Sequence, residues 1–444
     1  MSSNINLHIT PSNVLSSGKI SFKSGNPVIQ FIIGEQDRLL LGNSVRLCGK
    51  FNIWKNAAGT ALPGAADNLS MDERTGIYSC IDQVVIKSQA THQVIEHIRH
   101  YNRMMSSYLP TTTSLQDGMG HMSETSLIMP NYSAMKGSVV NIPSGETTKN
   151  SFCIHLPCGL FNGTQGIPLS GAGGVGGLLL EVHLAPDANV LFDTTALSAA
   201  GNLTDSYYEL SDVFLACEAV EDVRPPGSSS TFEYNSISSY FASVNSTNAI
   251  INFNLGLSRV LGVFMNFIPS AMINNLDYNG MTTMPLQNKN AHRADLTQII
   301  YTRGGQKYPF MFNIDLAQKE DSTIQQYDPV FVRGGIDAIK NFANSTRMTI
   351  SPNNSKLTNF TGSAISSPAG NGTSSDIGFA EGGNCFTLGC GFDSISNQGI
   401  SFATESFGVN LTTKLTSDNP HGVFMFAHAK NTLVFGQGGV QVLN

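Results

Sequence analysis

The chain has 444 residues, a formal net charge of -7, 41% hydrophobic side chains and only 13% charged ones. That length suits two or three packed domains, and the acidity, with no Lys or Arg before Lys19, excludes a protein whose main task is to coat nucleic acid with cations. A surface built from Ser, Thr, Asn and Gly suits burial in large contacts, where few charges need desolvating, and equally suits a Gly-rich β protein with long loops.

Residues 1–17 read as an N-terminal arm without the basic leader or apolar stretch of a signal peptide. No apolar run approaches the ~20 residues of a membrane span. Ile20 and Phe22 then alternate, and VIQFII from Val28 is a buried-type strand. In SVRLCGKFNIW, residues Val45, Leu47, Gly49, Phe51 and Ile53 fall on one face, as successive strand side chains point to opposite sides. GIYSCIDQVVIKS from Gly76 is a further strand region. Over 91–109 the period changes. Val94, Ile98, Tyr101, Met105 and Tyr108 recur at helical spacing, with His92, Glu96, Arg99 and Arg103 opposite, which predicts one amphipathic helix stopped by Pro110. Residues 110–150 are aperiodic and read as a long surface loop.

Alternation resumes at Phe152, Ile154, Leu156 and Cys158. GLFNGTQGIPLSGAGG breaks it, GLLLEVHLA from Gly177 is a strand stopped by Pro186, and VLF follows from Val190. YYELSDVFLACEAVE from Tyr207 places Val213, Leu215, Cys217 and Ala219 on one face. Pro225, Pro226, Gly227 and the serines after them cannot continue a strand, so 223–236 reads as a linker. Beyond it, INFNLGLSRVLGVFMNFIP holds two strands and LTQIIYTRGGQKYPFMFNI a hairpin turning near Gly304 and Gly305. A second long loop is expected at 351–384, before CFTLGCGF, GVNLTTKL and GVFMFAHAKNTLVF. The chain is therefore expected to be mainly β in two halves, 18–222 and 237–436, with a C-terminal tail at 437–444. GLLLEVHLAPDANVLF and GVFMFAHAKNTLVF echo one another faintly across the halves. No βαβ rhythm appears.

Chemistry-bearing patterns are few. Seven cysteines with no CxxC spacing read as reduced structural residues in an intracellular setting, and the two C-x4-C pairs, Cys153 with Cys158 and Cys385 with Cys390, lack nearby paired histidines for zinc. Gly171, Gly173 and Gly176 form a GxGxxG string, but no strand-then-helix context surrounds it. His92, Glu96 and His97 resemble a zinc-protease helix, yet the histidines are five apart instead of four. The RGG strings at Arg303 and Arg333 are lone turns, and the sequons at Asn162, Asn202 and Asn410 are expected by chance in so Asn- and Ser-rich a chain. These residues mark no catalytic, cofactor-binding or metal site, and no cofactor is expected.

Taken in order, THQVIEHIRHYNR, GLF…GIPL, GGLLLEVHLA, YYELSDVFLACEAVE, LGLSRVLGVFMNFIP, YTRGGQKYPF and GVFMFAHAKNTLVF resemble the double jelly-roll major capsid proteins, most nearly those of Polinton-like viruses. The series is more distantly similar to virophage capsid proteins and to the adenovirus hexon lineage. It spans roughly Ile20 to Phe435. The resemblance implies two eight-stranded jelly rolls in one chain, with a short helix and long loops. It implies a homotrimer forming a pseudo-hexagonal capsomer in the icosahedral shell of a double-stranded DNA virus, located in the virion and assembled inside the host cell. Neighbouring capsomers, penton and minor capsid proteins are then the partners, and no enzyme activity or sequence-specific nucleic-acid binding is expected. Two other classes compete. A β-sandwich carbohydrate-binding or adhesion module would want aromatic platforms, and Trp54 is the only tryptophan. A hydrolase on a β scaffold would need paired acids facing a cleft, and no pair stands out.

Overall fold

The computed structural model describes residues 4–14, 18–25, 27–60, 69–70, 75–112, 125–127, 151–163, 165–171, 173–193, 205–224, 231–270, 273, 296–311, 314–315, 338, 388–392, 398–413, 420–436 and 439–444. The expected loop at 351–384 lies outside them, as do Arg333, Cys385 and 110–150 apart from 110–112 and 125–127.

Chain order in the first half runs β1 (Ile5–Ile9), β2 (Lys19–Ile20), β3 (Val28–Ile33), β4 (Arg38–Leu41), β5 (Arg46–Trp54) and β6 (Leu69–Ser70). Then come β7 (Ile81–Ser88), β8 (Val94–Ile98), α1 (Tyr101–Thr112), β9 (Ser151–His155), α2 (Gly159–Asn162) and β10 (Gly166–Pro168). The half closes with β11 (Leu178–Leu184), α3 (Asp187–Val190), β12 (Phe192–Asp193) and β13 (Tyr207–Glu221). The second half holds β14 (Thr231–Val244), β15 (Asn248–Phe253), β16 (Val260–Pro269), β17 (Leu296–Arg303) and β18 (Gln306–Lys307). It ends with β19 (Ile314–Asp315), β20 (Leu388–Gly391), β21 (Phe407–Thr413), β22 (His421–Gly436) and β23 (Gly439–Leu443).

Strand order repeats between the halves. In the first, β1 pairs β13, which continues to β5 and β9, while the facing sheet runs β3-β11-β7-β8. In the second, the sheets run β14-β22-β16-β20 and β15-β21-β17-β18. Numbering the eight principal strands of each half by sequence, both give 1-8-3-6 in one sheet and 2-7-4-5 in the other. That is the double Greek-key order of a jelly roll, here twice in one chain. Pairings along these paths are antiparallel.

Alternation explains the first roll. On β13, Val213, Leu215, Cys217 and Ala219 are buried, while Phe214 and Ala216 are half-buried and Glu218 exposed. Against them pack Leu47, Phe51 and Ile53 of β5 and Phe31 of β3. The 1–8 partner in the second roll differs: residues 421–429 of β22 are buried without interruption. Val423, Met425, Ala427 and Ala429 join the second roll's own core, whereas Phe424 and Phe426 join the core of the first. A strand covered on both faces reads as a continuous apolar run, which is what GVFMFAHA is.

The structure corrects several expectations. Residues 91–109 are not one helix. They form β8, a turn in which His100 has φ 54°, and α1, which runs on past Pro110 to Thr112. Val94 is exposed, and Glu96 and Arg103, expected on a polar face, are buried. Phe22 belongs to a helical turn, Phe22–Ser24, rather than a strand. The sequence echo pairs the wrong strands: β11 stands seventh in its roll and β22 eighth, so the counterpart of β22 is β13. The arm contributes β1 to a sheet, the tail contributes β23 alongside β22, and the stretch 223–236 gives its residues from Thr231 onward to β14.

Candidate functional site: the seam between the rolls

One contiguous apolar core crosses from the first half into the second. It joins Tyr101, Met105, Leu160 and Phe161 to Phe232, Tyr234, Phe264, Phe424 and Phe426. The elements that meet are β8, α1 and α2 on one side and the outer face of the β14-β22-β16 sheet on the other.

Among the described residues β8 is the last strand of its sheet and pairs only with β7. An open sheet edge carries unpaired N–H and C=O groups that must be covered. Side chains and backbone of both halves do this. The Tyr234 hydroxyl donates to the carbonyl of Ile95 (2.8 Å), and the Arg99 N–H donates to the Ser239 Oγ (3.2 Å). Glu96, 4% exposed, accepts three backbone N–H groups. Gly159 (2.9 Å) and Leu160 (3.0 Å) give two, from the start of α2 where such donors lack helical partners. Ile237 of β14 gives the third at 3.0 Å. One carboxylate thus ties three segments together across the seam. Burial pushes its pKa up from 4.5 to about 7, outweighing the three donors that favour the charged form.

Gly159 makes this approach possible. A Cβ there would lie 1.6 Å from the Asn235 carbonyl oxygen, so α2 rests directly on the β14 backbone. Further along, the Asn266 amide donates to the Arg103 carbonyl (2.7 Å). The Arg103 guanidinium donates to the carbonyl of Ile273 and lies 6.0 Å from the Phe424 ring. His100 sets its ring edge-on to Phe424 at 4.9 Å. A cleft of about 300 Å³ opens beside these residues, walled by Asp82, Asn102, Pro186, Asn189 and Phe241. His428, on the same strand as Phe424, is fully buried, and burial lowers its pKa to about 3, so it sits neutral.

The motifs singled out from sequence fall apart as chemistry. His97 points away from Glu96 to meet Gln83 (Nε2 to Oε1 2.9 Å), and His92 lies in the preceding turn. No cluster of three or more metal-ligating side chains occurs among the described residues. The GxGxxG loop folds onto Glu35, whose carboxylate accepts the Gly171 N–H at 2.9 Å. Arg303 pairs with Glu405 (2.5 Å) beside Tyr308 and Phe402, at the foot of the Gly304–Gly305 turn. Both glycines have positive φ, 54° and 84°, as that tight hairpin requires. Sequence reasoning missed Glu96 as the centre of the seam; its lone charge between Ile95 and Ile98 was the available signal.

No family model and no curated protein matches this sequence. Solved structures do match in shape. VP54 of PBCV-1, as fitted into a reconstruction of the virophage Sputnik, is 11% identical, covers 100% of this chain and 97% of its own, and gives a TM-score of 0.57. The Faustovirus major capsid protein is 8% identical over 98% of this chain and 90% of its own, with a TM-score of 0.53. A chain of the Sputnik virophage is 13% identical over 99% and 88%, with a TM-score of 0.50. The repeated strand order and this end-to-end likeness together identify the fold as the double jelly roll seen in major capsid proteins.

Proposed function

We propose that the chain is the major capsid protein of an icosahedral double-stranded DNA virus, a shell subunit of the virion with no enzymatic role. The observation that carries this reading is one strand order used twice, with the two rolls fused by a buried seam. Two similar rolls per chain give three chains six similar sides, a unit that tiles. We read the partner as a second and third copy of this chain, forming a homotrimer of pseudo-hexagonal outline. Neighbouring capsomers, penton and minor capsid proteins complete the shell. The first roll is taken to run from β1 to β13 and the second from β14 to β22. The net charge of -7 favours walling off a genome over condensing it. The ordered sequence segments favour the Polinton-like group among such viruses.

Native mass spectrometry and negative-stain microscopy of the purified protein test this. Trimers with a hexagonal outline are expected. A stable monomer at micromolar concentration, with no hexagonal particles or shells, would overturn the proposal and favour a carbohydrate-binding module.

A further inference from the structure

Cys48 of β5 and Cys153 of β9 are direct partners in antiparallel register, and their sulfurs stand 3.2 Å apart. Both project from the outer face of the sheet. Their neighbours Leu47, Phe152 and Ile154 point into the core. Directly opposite residues of an antiparallel pair have Cα atoms roughly 4.5–5.5 Å apart, inside the span a disulfide bridges. Closing the bond needs only about 1.2 Å of sulfur movement, to a length of about 2.05 Å.

We propose that Cys48 and Cys153 form a reversible redox site, a dithiol that closes to a cross-strand disulfide when met by a low-molecular-weight disulfide. This site is independent of the capsid reading, since it requires only the β5–β9 pairing. Cys153 is the attacking sulfur. It is exposed, whereas Cys48 is 7% exposed with Phe214 of β13 opposite its other side. The Cys48 S–H points at Cys153, and with the nearby Arg46 charge it holds the Cys153 thiol below its ordinary range, to about 6, against the cost of partial burial. The same hydrogen bond and burial raise Cys48. The thiolate at Cys153 displaces one thiolate from the small disulfide, giving a mixed disulfide. Cys48 then loses its proton, attacks the Cys153 sulfur and releases the second thiolate. Two protein thiols are oxidised, and one small disulfide is reduced to two thiols.

The four other described cysteines, Cys80, Cys158, Cys217 and Cys390, are buried, and burial raises the pKa of each. The pair is thus set apart by geometry and access. Its consequence is mechanical. Among the described residues β9 is the outermost strand on its side of the sheet and pairs with β5 alone, and the bond would tie it across 105 residues of chain.

The test is equilibration of the full chain in oxidised and reduced glutathione over a range of ratios, alkylation of remaining thiols, and peptide mass mapping without reductant. A cross-linked Cys48–Cys153 peptide is expected, about 2 Da lighter than the two thiol peptides together, and dithiothreitol cleaves it back to those two thiol peptides. Cys153→Ser removes it, while Cys217→Ser leaves it unchanged. Both thiols remaining alkylatable at the most oxidising ratio would overturn the site. So would Cys153 accumulating only as a glutathione adduct or as a disulfide between chains. Wild-type mapping decides the matter even where a variant fails to fold.

Discussion

Glu96 is an ionisable side chain used as a structural acceptor. Its three backbone donors lose this acceptor if the carboxyl is removed, and each buried N–H left unsatisfied costs about 1–3 kcal/mol. Glu96→Ala is therefore expected to destabilise the fold by about 3–5 kcal/mol, read by chemical denaturation. The pH dependence has a definite sign. Between 4.5 and about 7 the folded protein holds a proton that the unfolded chain has released. The Glu96 contribution is therefore full below about pH 4.5 and declines as pH rises to about 7. His428 acts in the opposite sense. Its folded pKa is depressed from 6.5 to about 3, so its contribution is full above about 6.5 and is lost as pH falls toward 3. Glu96→Gln separates the two. Its stability penalty relative to wild type should shrink by roughly 2–3 kcal/mol between pH 5 and pH 8. An unchanged penalty across that range would show that Glu96 does not titrate there.

At the scale of elements, corresponding strands carry different loads. β13 and β22 are both the eighth strand of a roll, and each carries an outward phenylalanine, Phe214 and Phe426. Phe426 is 0% exposed, stacked on Phe264 at 5.3 Å beneath the first roll. Phe214 stacks on His8 of β1 at 4.3 Å and is only half-buried. Phe426→Ala should cost about 3–5 kcal/mol as a cavity in a fixed core, and Phe214→Ala about 1 kcal/mol or less, with thermal melts comparing the two. Gly159→Ala belongs at this scale also, because its methyl meets the rigid β14 backbone. A loss of about 3 kcal/mol or more is expected. Strands that cover one core were legible in the sequence, since their alternation is set by the pleat alone: SVRLCGKFNIW and YYELSDVFLACEAVE gave the buried faces of β5 and β13. The β8–α1 segment was not legible. Ile98, Tyr101, Met105 and Tyr108 are buried at helical intervals, but Ile98 belongs to a strand, and the left-handed turn at His100 leaves no mark in the periodicity. Glu96 and Arg103 looked like a solvated face because the surface they meet comes from distant parts of the chain, 63 to 170 positions away.

For the whole molecule, the seam decides whether the two rolls behave as one cooperative unit. The second roll keeps a core of its own around Val263, Met265, Val423 and Met425, yet the opposite face of the same sheet presents Tyr234, Phe264, Phe424 and Phe426 to the first roll. Exposing those aromatics to water would forfeit about 1.5–3 kcal/mol for each fully buried side chain. The cost falls on the second roll if the first unfolds. The first roll stands differently, because its equivalent sheet already turns Lys50, Asp212 and Glu218 outward. Unfolding of the first roll should therefore drag the second with it, and a single calorimetric transition is expected for the intact chain. Gly159→Ala or Glu96→Ala, which act where the two rolls meet, should split that transition in two before abolishing either roll. Two well-separated transitions in the wild-type chain would mean that the seam couples the rolls weakly, and that the aromatic face of β22 is stable when uncovered.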